Sequence, residues 1–261
     1  MASAVRYNGN VWIWEISVAY RREVEKYLDL VRSTQAGQIL FRHLNFRDNW
    51  LLIQPFVPTA SDPVNSDAAP KAWADAAPLG YIASTTQLKF PGIAPIDFPT
   101  SIGTGAGTSV YVHFHPATWT ELNRRVGYLT PGNGPGEVLY HEMVHGLREL
   151  KGQLRYRDKV AGEPNMDSVE EFYAIMAANV YRSERGFTQL THDHRLFSWL
   201  RADLRDPANY YGNFKIYIDQ WFNEHRAYCL DMARSPAKFN PFQTAAVELG
   251  LIPKPQTSMR L

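Results

Sequence analysis

Cysteine is nearly absent from this chain: Cys229 stands alone among 261 residues. That excludes an intramolecular disulfide and a cysteine-rich structural zinc site. Cys229 itself reads as a small buried hydrophobe and not as a nucleophile. Surplus charge is absent too, with 27 Lys and Arg against 26 Asp and Glu, so net charge gives no argument for nucleic acid or an anionic membrane as partner. No run of about 18 apolar residues occurs, and the start of the chain, which has Arg6, carries no uninterrupted apolar core before Glu15. The expectation is a chain made in the cytoplasm with no signal peptide and no membrane span. Action outside its own cell would then need a dedicated secretion system or a fused carrier. Repeats, low-complexity blocks and obvious linkers are missing as well. With 45% hydrophobic content, residues 1–261 are expected to form one unit, a front lobe over about 1–150 and a helical back lobe over about 151–261.

What is present has a clear order. Tyr20, Val24, Tyr27, Leu28, Val31, Ile39, Leu40 and Leu44 recur near helical spacing, which predicts two short helices or one kinked helix interrupted at Gly37. Residues 50–57 read as a strand entering the core. Eight of the 17 prolines lie between Pro55 and Pro99, so that region reads as mostly loop, with short strands near 81–83 and 87–90. Gly103, Gly105 and Gly107 look like a phosphate loop but lack a Lys-Ser/Thr pair and precede a strand. That strand is 109–115, where Val110, Val112 and Phe114 alternate with Tyr111, His113 and His115. A short helix is expected over 118–126. Longer ones are expected over 137–150 and 168–184, the latter capped by Asp167 or Ser168 and ended near Gly186. Helical periodicity continues over 194–204 and 210–230. The fold class is α+β: a small mixed sheet with the active-site helix in front, and mainly helices behind.

The helix over 137–150 carries His141-Glu142-Met143-Val144-His145. Positions i and i+4 of a helix lie about 40° apart on one face, so both imidazoles can reach one ion. Glu142, one residue along, is beside that face, where a carboxylate can serve as general base without occupying a coordination position. Val138, Leu139, Met143 and Val144 make this a core helix, in which unpaired polar groups would be costly and metal binding would resolve the cost. Catalytic zinc takes three protein ligands and leaves a fourth position open. Glu170 and Glu171, opening the next strong helix, are the candidates for the third.

Here the chain resembles the gluzincin metallopeptidases, in which H-E-x-x-H is followed by a helix that supplies a glutamate ligand. Glu171-Phe172-Tyr173-Ala174 is similar to the Glu-x-x-Ala signature of that group and to the corresponding run in the anthrax lethal-factor peptidase domain. The match favours Glu171 as ligand, with Glu170 kept as the alternative register. The resemblance extends to the metallopeptidase toxin domains of type VI secretion spike proteins and polymorphic toxins. It is carried by the glycine-rich run, the strand from Val110 to Phe114, the motif helix, Asn179-Val180-Tyr181-Arg182-Ser183-Glu184 and Thr191-His192-Asp193-His194, roughly residues 100–225. It implies a zincin-like fold, one zinc ion and endopeptidase activity on a protein or peptide substrate. It also implies a secreted effector or toxin, delivered into a target cell, with an immunity protein or a secretion carrier as further partners. A zinc amidase acting on cell-wall peptides and a non-catalytic metal-stabilised binding module share the same residues.

An oxyanion donor is sought among Tyr173, Tyr181, His192, His194, Tyr210 and Tyr211, with His194 the preferred catalytic partner of Glu142, although a capping or packing role for residues 191–194 is an equally good reading. His113 and His115 share one side of their strand and could form a second metal pair, although polar strand-face residues are the plainer reading. Strand 109–115 is also expected to be an edge that pairs with extended substrate, as in the resembling peptidases. Trp199, Trp221 and Phe222 read as core, and Arg201, Arg205, Arg226 and Arg234 as solvated helix faces.

Overall fold

The structure is a computed structural model that describes residues 3–55, 67–70, 107–117, 132, 134–155, 158–166, 168–193 and 198–254. The chain opens with a hairpin the sequence reading did not include, β1 (Ser3–Asn8) and β2 (Val11–Glu15), turned at Gly9 with φ +52°. Helices α1 (Val18–Arg32) and α2 (Gln35–Leu44) follow. The break between them falls at Ser33 and Thr34 and not at the predicted Gly37. Thr34 caps α2 by accepting the Gly37 N–H at 3.0 Å. A Cβ on Gly37 would stand 1.8 Å from the Val31 carbonyl oxygen. Glycine is needed there because the start of α2 presses on the end of α1.

Strands β3 (Leu51–Gln54), β4 (Asp67–Pro70) and β5 (Val110–His113) complete a mixed sheet of order β1-β2-β3-β5-β4. The inner pairs β2·β3 and β3·β5 are parallel and the outer pairs antiparallel. A parallel pair cannot be joined by a tight turn, and α1 with α2 supplies the crossover between β2 and β3. Val11, Ile13, Leu51, Ile53, Val110 and Val112 all face inward and are buried, as the alternation in β5 predicted. One expectation fails here. β5 is not an edge, because β4 pairs along it from Asp67↔His113 to Pro70↔Val110. β4 comes from the proline-rich region, and Pro70 is tolerated because the strand is outermost among the described residues. The predicted strands near 81–83 and 87–90, the helix over 118–126, and Gly103 and Gly105 lie outside the described residues.

Among the described residues five α-helices follow: α3 (Pro135–Leu150), α4 (Val169–Glu184), α5 (Pro207–Glu224), α6 (Arg226–Ala233) and α7 (Pro241–Glu248). The class is α+β, as expected. The predicted helical stretch over 194–204 is corrected for its described part. Thr191 and Trp199 form a β-bridge, with Leu200 N–H donating to the Leu190 carbonyl at 2.8 Å, and a 3-10 turn covers Ala202–Arg205. Leu200 and Leu204 are both buried, so the i, i+4 spacing that imitates a helix is met instead by a bridge and a tight turn. Trp199 is accordingly 49% exposed and not core, whereas Trp221 and Phe222 are core. Arg201, Arg205, Arg226 and Arg234 are exposed, as read.

Candidate metal centre

Helix α3 starts cleanly at Pro135, whose fixed φ suits the first helical position. Glu137 in its first turn accepts the Gly132 N–H at 3.0 Å and pairs with the buried Arg182 of α4. Every residue of α3 is buried except His141, which is half-buried. This is the pattern of a central helix, packed on all sides. One side lies against the sheet so closely that a Cβ on Gly146 would stand 2.7 Å from Leu51 Cδ1. Gly146, next to His145, thus fixes how deep the motif sits, a role the sequence reading did not assign. Helix α4 begins at Ser168, whose Oγ accepts the Glu171 N–H at 3.2 Å. The cap anchors Glu171 in the first turn, where a carboxylate also suits the helix dipole.

The two helices pack side by side and bring together His141, His145 and Glu171. His141 Nε2 lies 3.0 Å from His145 Nε2 and 3.1 Å from Glu171 Oε2, and His145 Nε2 lies 3.4 Å from the same oxygen. The two rings meet edge to face at 81°. Donor atoms bound tetrahedrally to one zinc at about 2.0–2.1 Å are separated by roughly 3.3 Å. The observed triangle has that size, so the residues present fit a zinc ion, and this group could hold one. Glu142 is buried on α3, 8% exposed, and its charge acts on the His145 ring.

Electrostatics favour a cation at this point. Burial by itself would depress the His145 pKa, but the charge of Glu171, its hydrogen bonds and that of Glu170, and the charge of Glu142 overcome burial and hold it well above the usual value. Burial would likewise raise Glu171, yet His145 and His141 hold it well below the ordinary carboxylate range. A proton is therefore retained where a divalent ion would compete for the same acidic field.

Glu170 points elsewhere. It is fully buried against Arg148, whose Nε donates to both its oxygens at 2.8 Å, and its Oε1 lies 3.4 Å from His145 Nδ1. Among the described residues only Glu171 joins the two histidines as a group able to hold a metal. His113 meets Gln54 Nε2 at 2.6 Å and His115 packs near the Tyr20 ring, and among the described residues the two are not brought into such a group.

The downstream oxyanion candidates divide. Tyr173 donates to the Tyr217 carbonyl at 3.0 Å, Tyr211 to Asp219 at 2.9 Å, and His192 Nε2 lies 2.8 Å from Glu163. Tyr181 stacks on Tyr140 and Tyr210 on Phe172. These five are engaged in packing or pairing. His194 lies outside the described residues.

Comparison with known proteins adds one finding. The model of the Peptidase_M91 family, described as an effector protein, matches residues 11–196, a span that includes strands β2 to β5, α3 and α4. No curated protein matches the chain. No helix among the described residues is long and apolar enough to cross a membrane.

Proposed function

The chain belongs to this family of peptidase effectors, and from that premise we propose that it is a zinc-dependent endopeptidase of gluzincin type. The observation that carries the reading is the triangle of His141 Nε2, His145 Nε2 and Glu171 Oε2, with edges of 3.0, 3.4 and 3.1 Å. Three ligands of this kind leave one position open, the arrangement of catalytic and not of structural zinc sites. A zinc ion there would supply the Lewis acidity that makes water nucleophilic near neutral pH and polarises the scissile carbonyl. Glu142 takes the proton of the attacking water and passes it to the leaving amine. His141 and Glu171, 17% and 14% exposed, are the solvent side of the triangle, whereas His145 at 2% is its floor. Substrate therefore approaches over His141 and Glu171. His194 is the proposed oxyanion donor.

The substrate is a protein or peptide. Delivery by a dedicated secretion system into a target cell, with an immunity protein or a carrier as partner, and a single unit over residues 1–261 complete the reading. The test is zinc content together with proteolysis. Wild type should carry one zinc ion and cleave; Glu142→Ala should keep the ion and lose cleavage by about 10²–10⁴-fold; His141→Ala should lose both. A Glu142→Ala chain that still cleaves at the wild-type rate would sink the assignment of the base.

A further inference from the structure

The pair Arg148–Glu170 has both side chains at 0% exposure, the most deeply buried ion pair among the described residues. Its cost has to be offset by further pairing, since each charge has left water. Glu170 meets that demand with both Nε contacts of Arg148, with the Arg155 N–H at 3.0 Å, and with His145 Nδ1 at 3.4 Å. Arg148 continues to Glu224 Oε2 at 3.2 Å, and Arg155 joins the same carboxylate at 2.5 Å. A run of alternating charges thus leads from Glu224, the last residue of α5, through Arg148 and Glu170 to the back of the His145 ring. The Arg148 guanidinium is also stacked over the Tyr173 ring, 4.4 Å from its centroid, which restricts its freedom to turn away.

A carboxylate on one ring nitrogen of a histidine selects the tautomer and orients the other nitrogen. In His145 that other nitrogen is Nε2, the atom that faces His141 and Glu171. We propose that Glu170 is a positioning residue that holds the proton of His145 on Nδ1 and aims Nε2 at the ion, with Arg148 and Glu224 holding Glu170 in place. The proposal rests on the zinc reading above. It also gives α5, which lies beyond the 11–196 family match, a part in metal binding that its distance from the motif in sequence conceals.

The experiment is zinc affinity by chelator competition on the full chain, with long-range nitrogen NMR of the zinc-loaded wild type to locate the His145 proton. Glu170→Gln should weaken zinc about 10–100-fold, and Glu224→Gln by less than about tenfold in the same direction. Because Glu170→Gln leaves Arg148 poorly compensated, the double variant Arg148→Met with Glu170→Leu removes both charges at once. It should keep its fold by circular dichroism and still show the loss. The NMR should place the proton on Nδ1. Wild-type affinity in the folded double variant, or a proton on Nε2, overturns the proposal. So does a loss in Glu170→Gln as complete as in His141→Ala, which would make Glu170 a ligand. A wild type that takes up no zinc overturns the zinc reading itself, whereas a zinc-binding wild type with an unaffected double variant overturns only the role of Glu170.

Discussion

Asn179 and Thr191 hold each other by two hydrogen bonds of 2.8 Å, the Thr191 N–H donating to Asn179 Oδ1 and Asn179 Nδ2 donating to the Thr191 carbonyl. Asn179 lies on α4, eight residues after Glu171, so the helix that presents the candidate third ligand also clamps the segment leading to His194. Both residues are buried. Asn179→Ala would leave two backbone groups unpaired and should cost roughly 2–4 kcal/mol in urea unfolding. With zinc content unchanged, the proteolytic rate should fall. Unchanged stability and rate together would show that the clamp holds nothing the protein needs.

Gly146 tests the seating of the motif helix. A valine there would drive its branches into Leu51 and toward Val110, whose Cγ1 is 3.6 Å from the added Cβ. Gly146→Val should destabilise the fold by about 1–3 kcal/mol and weaken zinc, because α3 must lift off the sheet with His145. Alanine should be milder, since Leu51 can yield at its tip and helix propensity gains about 1 kcal/mol.

Zinc uptake should release a proton. His145 has its pKa raised by Glu171, Glu170 and Glu142 against the effect of burial, so the metal-free chain carries an imidazolium that zinc must displace. Calorimetric heats of zinc binding near pH 7 should vary with the ionisation enthalpy of the buffer, and affinity should rise with pH. The metal-free fold follows the opposite sign. The stabilisation from charged His145 is full below the unfolded value near 6.5 and is lost as pH rises through the raised folded value. Heats independent of buffer would contradict this.

His225, between α5 and α6, has the reverse sign. Its ring is buried, with no hydrogen-bond partner on either nitrogen among the described residues, and burial, with Lys151, Arg148 and His43 adding to it, holds the pKa well below the usual value. The unfolded chain therefore binds a proton that the folded chain refuses. Stability is full above about pH 6.5 and falls as pH drops below it, by about 1.4 kcal/mol per pH unit until the folded value is reached. His225→Phe should remove this slope from the pH dependence of unfolding, and a slope that persists would assign it elsewhere.

What the sequence made legible is what short-range geometry dictates. His141 and His145 are four residues apart on one helix, and helical spacing alone puts them on one face. Ser168 announces the start of α4, and the alternation of Val110, Val112 and Phe114 announces β5 and its buried side. The hairpin at Val11 and Ile13 was too short to stand out, and β4 was hidden among prolines. Trp199 was misassigned because buried leucines at helical spacing fit a bridge and a 3-10 turn equally well.

The sequence by itself therefore determined the motif, its helix and the α+β class, since each depends on residues within a turn or two of one another. Only the tertiary structure shows which of Glu170 and Glu171 lies with His141 and His145 in a group that could hold a metal. Adjacent residues on a helix point about 100° apart, and which of them meets the histidines depends on how α4 rotates against α3. Burial settles that rotation: Arg148 claims Glu170 in the interior, and Glu171 is left facing His141.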